Sequence, residues 1–187
     1  MGIVLLVAVV VVVLWAVGGY NKLIALKNQV ANAWKQIDVQ LKRRHDLIPN
    51  LVNAVKGAMD FEKSTLEAVI SARNRAVAAA GTGVAQVGKA EGELTQALGR
   101  LFALSENYPQ LKATANIQQL QEELTSTENK VGFSRQLYND TATAYNTAQQ
   151  QFPTNLLAGM AQAAPAELWA IEDAAERAVP NVDLRMG

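Results

Sequence analysis

The sequence has no cysteine and a single histidine, His45. Without cysteine there is no disulfide and no thiolate metal site, and a lipoprotein's lipid has nothing to attach to; the redox compartment stays open. One histidine removes every two-histidine metal motif. A Ser-His-Asp triad would have to use His45, and a neighbouring Asp46 on the same turn does not make one. Strand-like alternation of apolar and polar residues is also missing. Outside the N-terminal stretch, Leu, Ala, Gln, Lys and Glu stand where strands want β-branched residues.

Charge is absent from Met1 to Gly19, which is almost wholly Val, Leu, Ile, Ala and Trp. As a helix this stretch is about 28 Å long, close to the ~30 Å hydrocarbon core of a bilayer. A cleavable signal peptide is the competing reading. It wants a basic leader, a shorter apolar run and a small-residue cleavage site. Instead, Trp15, Gly18, Gly19 and Tyr20 resemble a membrane-interface border, so a retained single-pass anchor is expected over 1–19. The formal net charge is zero, yet residues 20–60 hold Lys22, Lys27, Lys35, Lys42, Arg43, Arg44 and Lys56 against Asp38, Asp46 and Asp60. Basic residues directly after a span predict that the following domain is cytoplasmic and the N-terminus outside. They also suit anionic lipid headgroups. They lack the density and interleaved aromatics of a nucleic-acid surface.

Beyond the span, apolar residues recur by threes and fours. Leu23, Leu26, Val30, Ala33, Ile37 and Leu41 form one stripe, on a helix that continues the anchor with Gly18-Gly19 as the place for a bend. Lys42 to His45 are expected to close this helix, with Asp46 capping the next and Pro49 in its first turn. The second helix reads through Leu51, Val55, Leu66, Val69 and Ala76 to Gly81-Thr82-Gly83. The third carries Val84, Val87, Leu94, Leu98 and Leu101. The fourth runs through Ile117, Leu124, Val131, Tyr138 and Tyr145 and ends before Phe152-Pro153. A short Ala-rich helix is expected from about Pro165 to Val179. The fold class is therefore all-α: one N-terminal transmembrane helix, then an elongated antiparallel three- or four-helix bundle with coiled-coil-like stripes over 20–152, then a tail over 153–187.

Three patterns invite chemistry. Gly83 to Ala90 imitates a phosphate-binding loop, but Ala90 replaces the magnesium-binding hydroxyl and no strand precedes it; a helix–helix turn is expected. Glu122-Glu123 and Glu91/Glu93 read as solvated helix faces, not as tuned acid–base pairs. Asp38 to Leu51 is the densest segment. It reads as a helical hairpin, or as a contact surface for a neighbouring subunit or partner; Arg43 and Arg44 can pair with acidic residues of later helices, around Glu122, Glu123 and Glu128. Tyr138, Tyr145 and Phe152 share a sevenfold spacing and are expected in the core or as interface anchors.

The chain resembles the LemA family. The resemblance is carried by Tyr20-Asn21-x-Leu23, by Ala33-Trp34-x-Gln36-Ile37-Asp38-Val39-Gln40-Leu41-Lys42-Arg43-Arg44-His45-Asp46-Leu47-Ile48-Pro49-Asn50-Leu51-Val52, and by Ala72-Arg73. It continues in Glu106-Asn107-Tyr108-Pro109, Arg135-x-x-Tyr138-Asn139, Tyr145-Asn146 and Phe152-Pro153. One departure falls at Ala161-Gln162-Ala163, where family members often carry aromatics; it bears on how the tail docks. The resemblance implies a small bacterial membrane protein with a helical bundle and no assigned catalytic activity. The expected role is a non-enzymatic scaffold or assembly protein in the bacterial inner membrane, self-associating as a homo-oligomer. The alternative is an accessory subunit regulating an integral-membrane protease or sensor. No catalytic, cofactor or metal residues are expected, and no small-molecule substrate or nucleic acid. Arg43, Arg44, His45, Asp46, Tyr138 and Tyr145 are the candidate interface residues, and the lipid bilayer or a membrane protein is the candidate partner.

Overall fold

The computed structural model describes residues 1–170 except 58, 60, 61 and 113, with the backbone alone at 110 and 112. Among the described residues the chain is all-α, with no strand. The elements are α1 (Gly2–Lys56), α2 (Lys63–Ala78), α3 (Val84–Ser105), the single turn α4 (Pro109–Lys112) and α5 (Ala115–Gln150). A 3₁₀ turn follows at Thr154–Leu157.

α1 is 55 residues long and carries the apolar stretch. Its most apolar 18-residue window has a mean hydropathy of 2.8, with none of it buried. A helix apolar on every face, with nothing of its own chain around it, has the length and composition to cross a bilayer. Helical structure continues through Gly18-Gly19. Gly19 serves a contact there: the Cδ1 atom of Leu157 lies 2.7 Å from where a Cβ would stand. A Cβ there would make the tip of the Leu157 side chain shift, so the present close approach is one that glycine permits.

Two expectations are corrected along α1. The helix does not close at Lys42–His45, so Asp46 stands inside α1 and not at a helix start, and Pro49 lies inside α1 too. The expected second helix is split, because α1 runs on to Lys56 and α2 begins only at Lys63. The α2–α3 turn is as expected, with Gly81 at φ +80° and Gly83 at φ +125°, conformations that suit glycine best. Gly83 thus ends the turn and Val84 to Ala90 form the first turns of α3, preceded by a helix.

The chain divides into two compact units, so the stretch 20–152, expected as one bundle, contributes to both. One unit comprises residues 1–44 and 123–168. In it α1 and α5 run antiparallel: Leu23 shares a core cluster with Ala148, Trp34 meets Tyr138, and Arg44 meets Glu128. Leu23, Ala33, Ile37 and Leu41 are buried from α1, and Val131, Tyr138, Ala142, Tyr145 and Ala148 from α5. The non-helical segment after Gln162 is tied to α5. Asn146 donates from Nδ2 to the Ala166 carbonyl (2.8 Å) and accepts from the Ala166 N–H (2.7 Å), while the Tyr138 hydroxyl donates to the Glu167 carbonyl (2.7 Å). The expected helix from Pro165 to Val179 is not helical over 165–170, and its remainder lies outside the described residues.

The other unit comprises residues 45–122, with Trp169. α2 and α3 pair antiparallel across a short turn. α3 buries Val87, Glu91, Leu94, Leu98, Leu101 and Ser105 at alternating steps of four and three; α2 answers with Leu66, Val69, Ala72 and Ala76. Each fully buried Leu is worth roughly 1.5–3 kcal/mol. Gly88 gives the Trp169 indole a seat, its nitrogen being 3.1 Å from a Cβ built there.

Candidate functional site

The dense segment of α1 is built around a proline inside a helix. Pro49 has no N–H to donate to the carbonyl four residues back, that of His45, and its ring crowds that carbonyl. The freed acceptor is taken by α2: Arg73 donates from Nε to the His45 carbonyl oxygen at 3.3 Å. The His45 side chain turns toward α3, with Nε2 2.6 Å from Glu91 Oε1. Both groups are buried, His45 at 9% and Glu91 at 3% exposure. Glu91 therefore corrects the expectation of a solvated face. It occupies the stripe position between Val87 and Leu94, and burial demands the partner that His45 supplies. α2 and α3 thus each meet the His45 turn through a polar contact, the Arg73 contact falling on the carbonyl that Pro49 leaves without a helical donor. Beside it, a cavity of about 170 Å³ is lined by Ile48, Pro49, Val52, Ile70 and Arg73, among others.

This pairing predicts a coupling. Arg73→Met should cost roughly 1–3 kcal/mol, the penalty of an orphaned, part-buried carbonyl. In a Pro49→Ala background, where position 49 can donate to His45 again, the same change should cost about 1 kcal/mol less. Thermal unfolding of the four proteins reads the coupling; strictly additive losses would separate Arg73 from the proline.

In the other unit, Arg44 is 2% exposed and its Nη2 lies 2.7 Å from Glu128 Oε2. Arg43 is exposed, 3.9 Å from Glu123 Oε2. The pairing of these arginines with later acidic residues is therefore present within the chain. Tyr138 is buried edge-to-face on Trp34, with ring centroids 5.3 Å apart and planes at 64°. Burial, and secondarily the Glu167 charge, raises the Tyr138 pKa. Tyr145 is buried too, its pKa raised by burial, and its hydroxyl has no hydrogen-bond partner among the described residues. Of the six candidate interface residues, Arg43 and Asp46 are exposed; Arg44, His45, Tyr138 and Tyr145 are interior. Phe152 is neither core nor packed beside the tyrosines: it is 80% exposed, because α5 has ended at Gln150.

Among the described residues no group of three or more His, Cys, Asp or Glu is placed to hold a metal. A cleft of about 570 Å³ between α2 and α3 is lined largely by Ser, Thr and Ala and crossed by the Arg75–Glu93 ion pair at 2.9 Å. Sequence reasoning missed Arg73 and Glu91 as partners of one turn. The signals were a proline four residues after a histidine, and a glutamate in register with a leucine stripe.

The LemA family profile matches residues 33–184, most of the chain and all of the His45 turn. The chain belongs to the LemA family. Among relatives of this LemA-family chain, Protein LemA of Metamycoplasma hominis is 27% identical over 144 residues, covering 76% of this chain and 64% of that protein. Magnetosome protein MamQ of Magnetospirillum gryphiswaldense is 24% identical over 164 residues, covering 74% of this chain and 60% of that protein. Magnetosome protein MamQ 2 of Paramagnetospirillum magneticum is 25% identical with the same coverage. The chain thus spans less than two thirds of the length of these relatives.

Proposed function

We propose that this LemA-family chain is a membrane-anchored, non-enzymatic scaffold that self-associates and organises membrane or partner proteins. The observation that carries the reading is α1: one uninterrupted helix, apolar on all sides at its start, that goes on to supply buried stripes and ion pairs to packed helices. Such a helix joins anchor to bundle without a linker. The buried polar groups His45, Glu91 and Arg44 join one helix to another. Exposed apolar residues on the bundle, notably Phe133 and Leu137 one turn apart on α5, supply a surface for lateral contact. We place the anchor in the bacterial inner membrane with the bundle cytoplasmic, on Lys22, Lys27 and Lys35 following the span.

An accessory-subunit role is the second reading, and the α2–α3 cleft favours it as a groove for a foreign helix. Two differently tagged copies expressed together distinguish the readings. Capture of one tag from solubilised membranes should bring down the other copy. Recovery of one tag alone, with a second protein in fixed proportion, supports the accessory role and removes the scaffold.

A further inference from the structure

The turn that follows α5 sits at the end of the apolar run. α5 approaches antiparallel to α1, with Ala148 packed in the cluster of Leu23, and it ends at Gln150. The chain then folds over through Thr154–Leu157. It seats Leu157 against Gly19 and in the cluster that Ala16, Ile24 and Leu26 flank. It leaves in the opposite direction, with Lys27 Nζ donating to the Gln162 carbonyl at 3.3 Å. The apex of this turn is therefore level with Ala16 to Tyr20, where the uncharged stretch of α1 ends.

At that apex three large apolar side chains point away from the protein: Phe152 at 80%, Leu156 at 66% and Met160 at 74% exposure. In water alone their exposure is unexplained, since the neighbouring Leu157 and Ala161 are buried. A second observation bears on what covers them. No charged side chain occurs between Asp140 and Glu167, although the same helix carries Glu128, Lys130, Arg135 and Asp140 farther from the span. Charge disappears as α5 nears the level of the apolar run, which is what proximity to hydrocarbon demands of a surface. On α1, Trp15 and Tyr20 flank the same level, as aromatics do at membrane–water borders.

The geometry points to a second membrane contact: the 152–160 turn dips Phe152, Leu156 and Met160 into the headgroup–acyl boundary beside the transmembrane helix. This inference rests on the anchoring reading and adds to it. The occupant is the bilayer surface, because the patch is continuous with the segment the bilayer already surrounds. The contact would hold the α1–α5 pair against the membrane through a shallow apolar wedge, in the manner of interfacial segments.

The sequence has no cysteine, so any introduced thiol is the sole labelling site. The full chain is reconstituted in phosphatidylcholine–phosphatidylglycerol vesicles with a spin label at Leu156→Cys or Met160→Cys. Leu6→Cys, in the apolar run, and Ser126→Cys, exposed on α5, are the references. Collision with oxygen, which concentrates in lipid, is compared with collision with a water-soluble nickel chelate. The expected oxygen-to-nickel ratio at 156 and 160 is several-fold above that at 126 and below that at 6. A ratio at 156 and 160 equal to that at 126, with Leu6→Cys in lipid, overturns the wedge and leaves the anchor standing. Exclusion of both probes at 156 and 160 overturns it in favour of cover by a second copy. An aqueous Leu6→Cys label removes the anchor and the wedge together.

Discussion

Replacing Val9 and Val12 with lysine together should move the protein out of the membrane fraction. Both side chains lie in the exposed apolar start of α1. A lysine near the centre of a spanning helix costs roughly 2.5–3.5 kcal/mol on an insertion scale, and two of them outweigh much of what the valines contribute. Neither residue touches the packed core, so the bundle should keep its helical signal and melt as the parent does. The readout is fractionation in carbonate wash together with circular dichroism of the released protein. Unchanged membrane retention would mean that the apolar stretch is not the anchor.

The second large effect is expected at Glu128. Its carboxylate faces Arg44, which is buried to 2% exposure on α1. Removing one partner of a buried ion pair takes away part of what compensates the other charge, at most about 3–5 kcal/mol where both are deeply buried. Glu128 itself is part-exposed, so Glu128→Ala should cost less, roughly 2–4 kcal/mol. Glu128→Gln keeps an acceptor and should recover about half of the loss. Thermal melts of the full chain in detergent read both. A Glu128→Ala protein as stable as the parent would show that Arg44 does not depend on this contact. For the same reason, reversing Arg44 to Glu is a folding lesion and not an interface probe, whereas Arg43→Glu, at an exposed position, tests a contact surface.

The helices were legible where burial repeats at three and four. The α3 stripe of Val87, Leu94, Leu98 and Leu101 and the α5 run to Tyr145 follow from spacing alone, because one buried face forces that period. The chain around Pro49 was not. A proline usually marks a helix start, and the carbonyl that Pro49 leaves without a helical donor is met by Arg73, a residue on another helix whose approach no local pattern encodes. Glu91 was misjudged because carboxylates are rarely buried; a partner far away in sequence, His45, meets it in the stripe. Phe152 was misplaced by extending the spacing of Tyr138 and Tyr145 past the end of α5, where a helical period has no meaning. The pairing of Arg43 and Arg44 with later acids was legible, since opposite charges on antiparallel helices meet at similar heights.

The central claim is that one continuous helix anchors a self-associating bundle at the membrane. Its most direct test is the mass of the protein complex released from native membranes in mild detergent, measured across a wide range of protein concentration. The account predicts a uniform species of several copies of this chain, with no other protein required. A strict monomer at every concentration would contradict it.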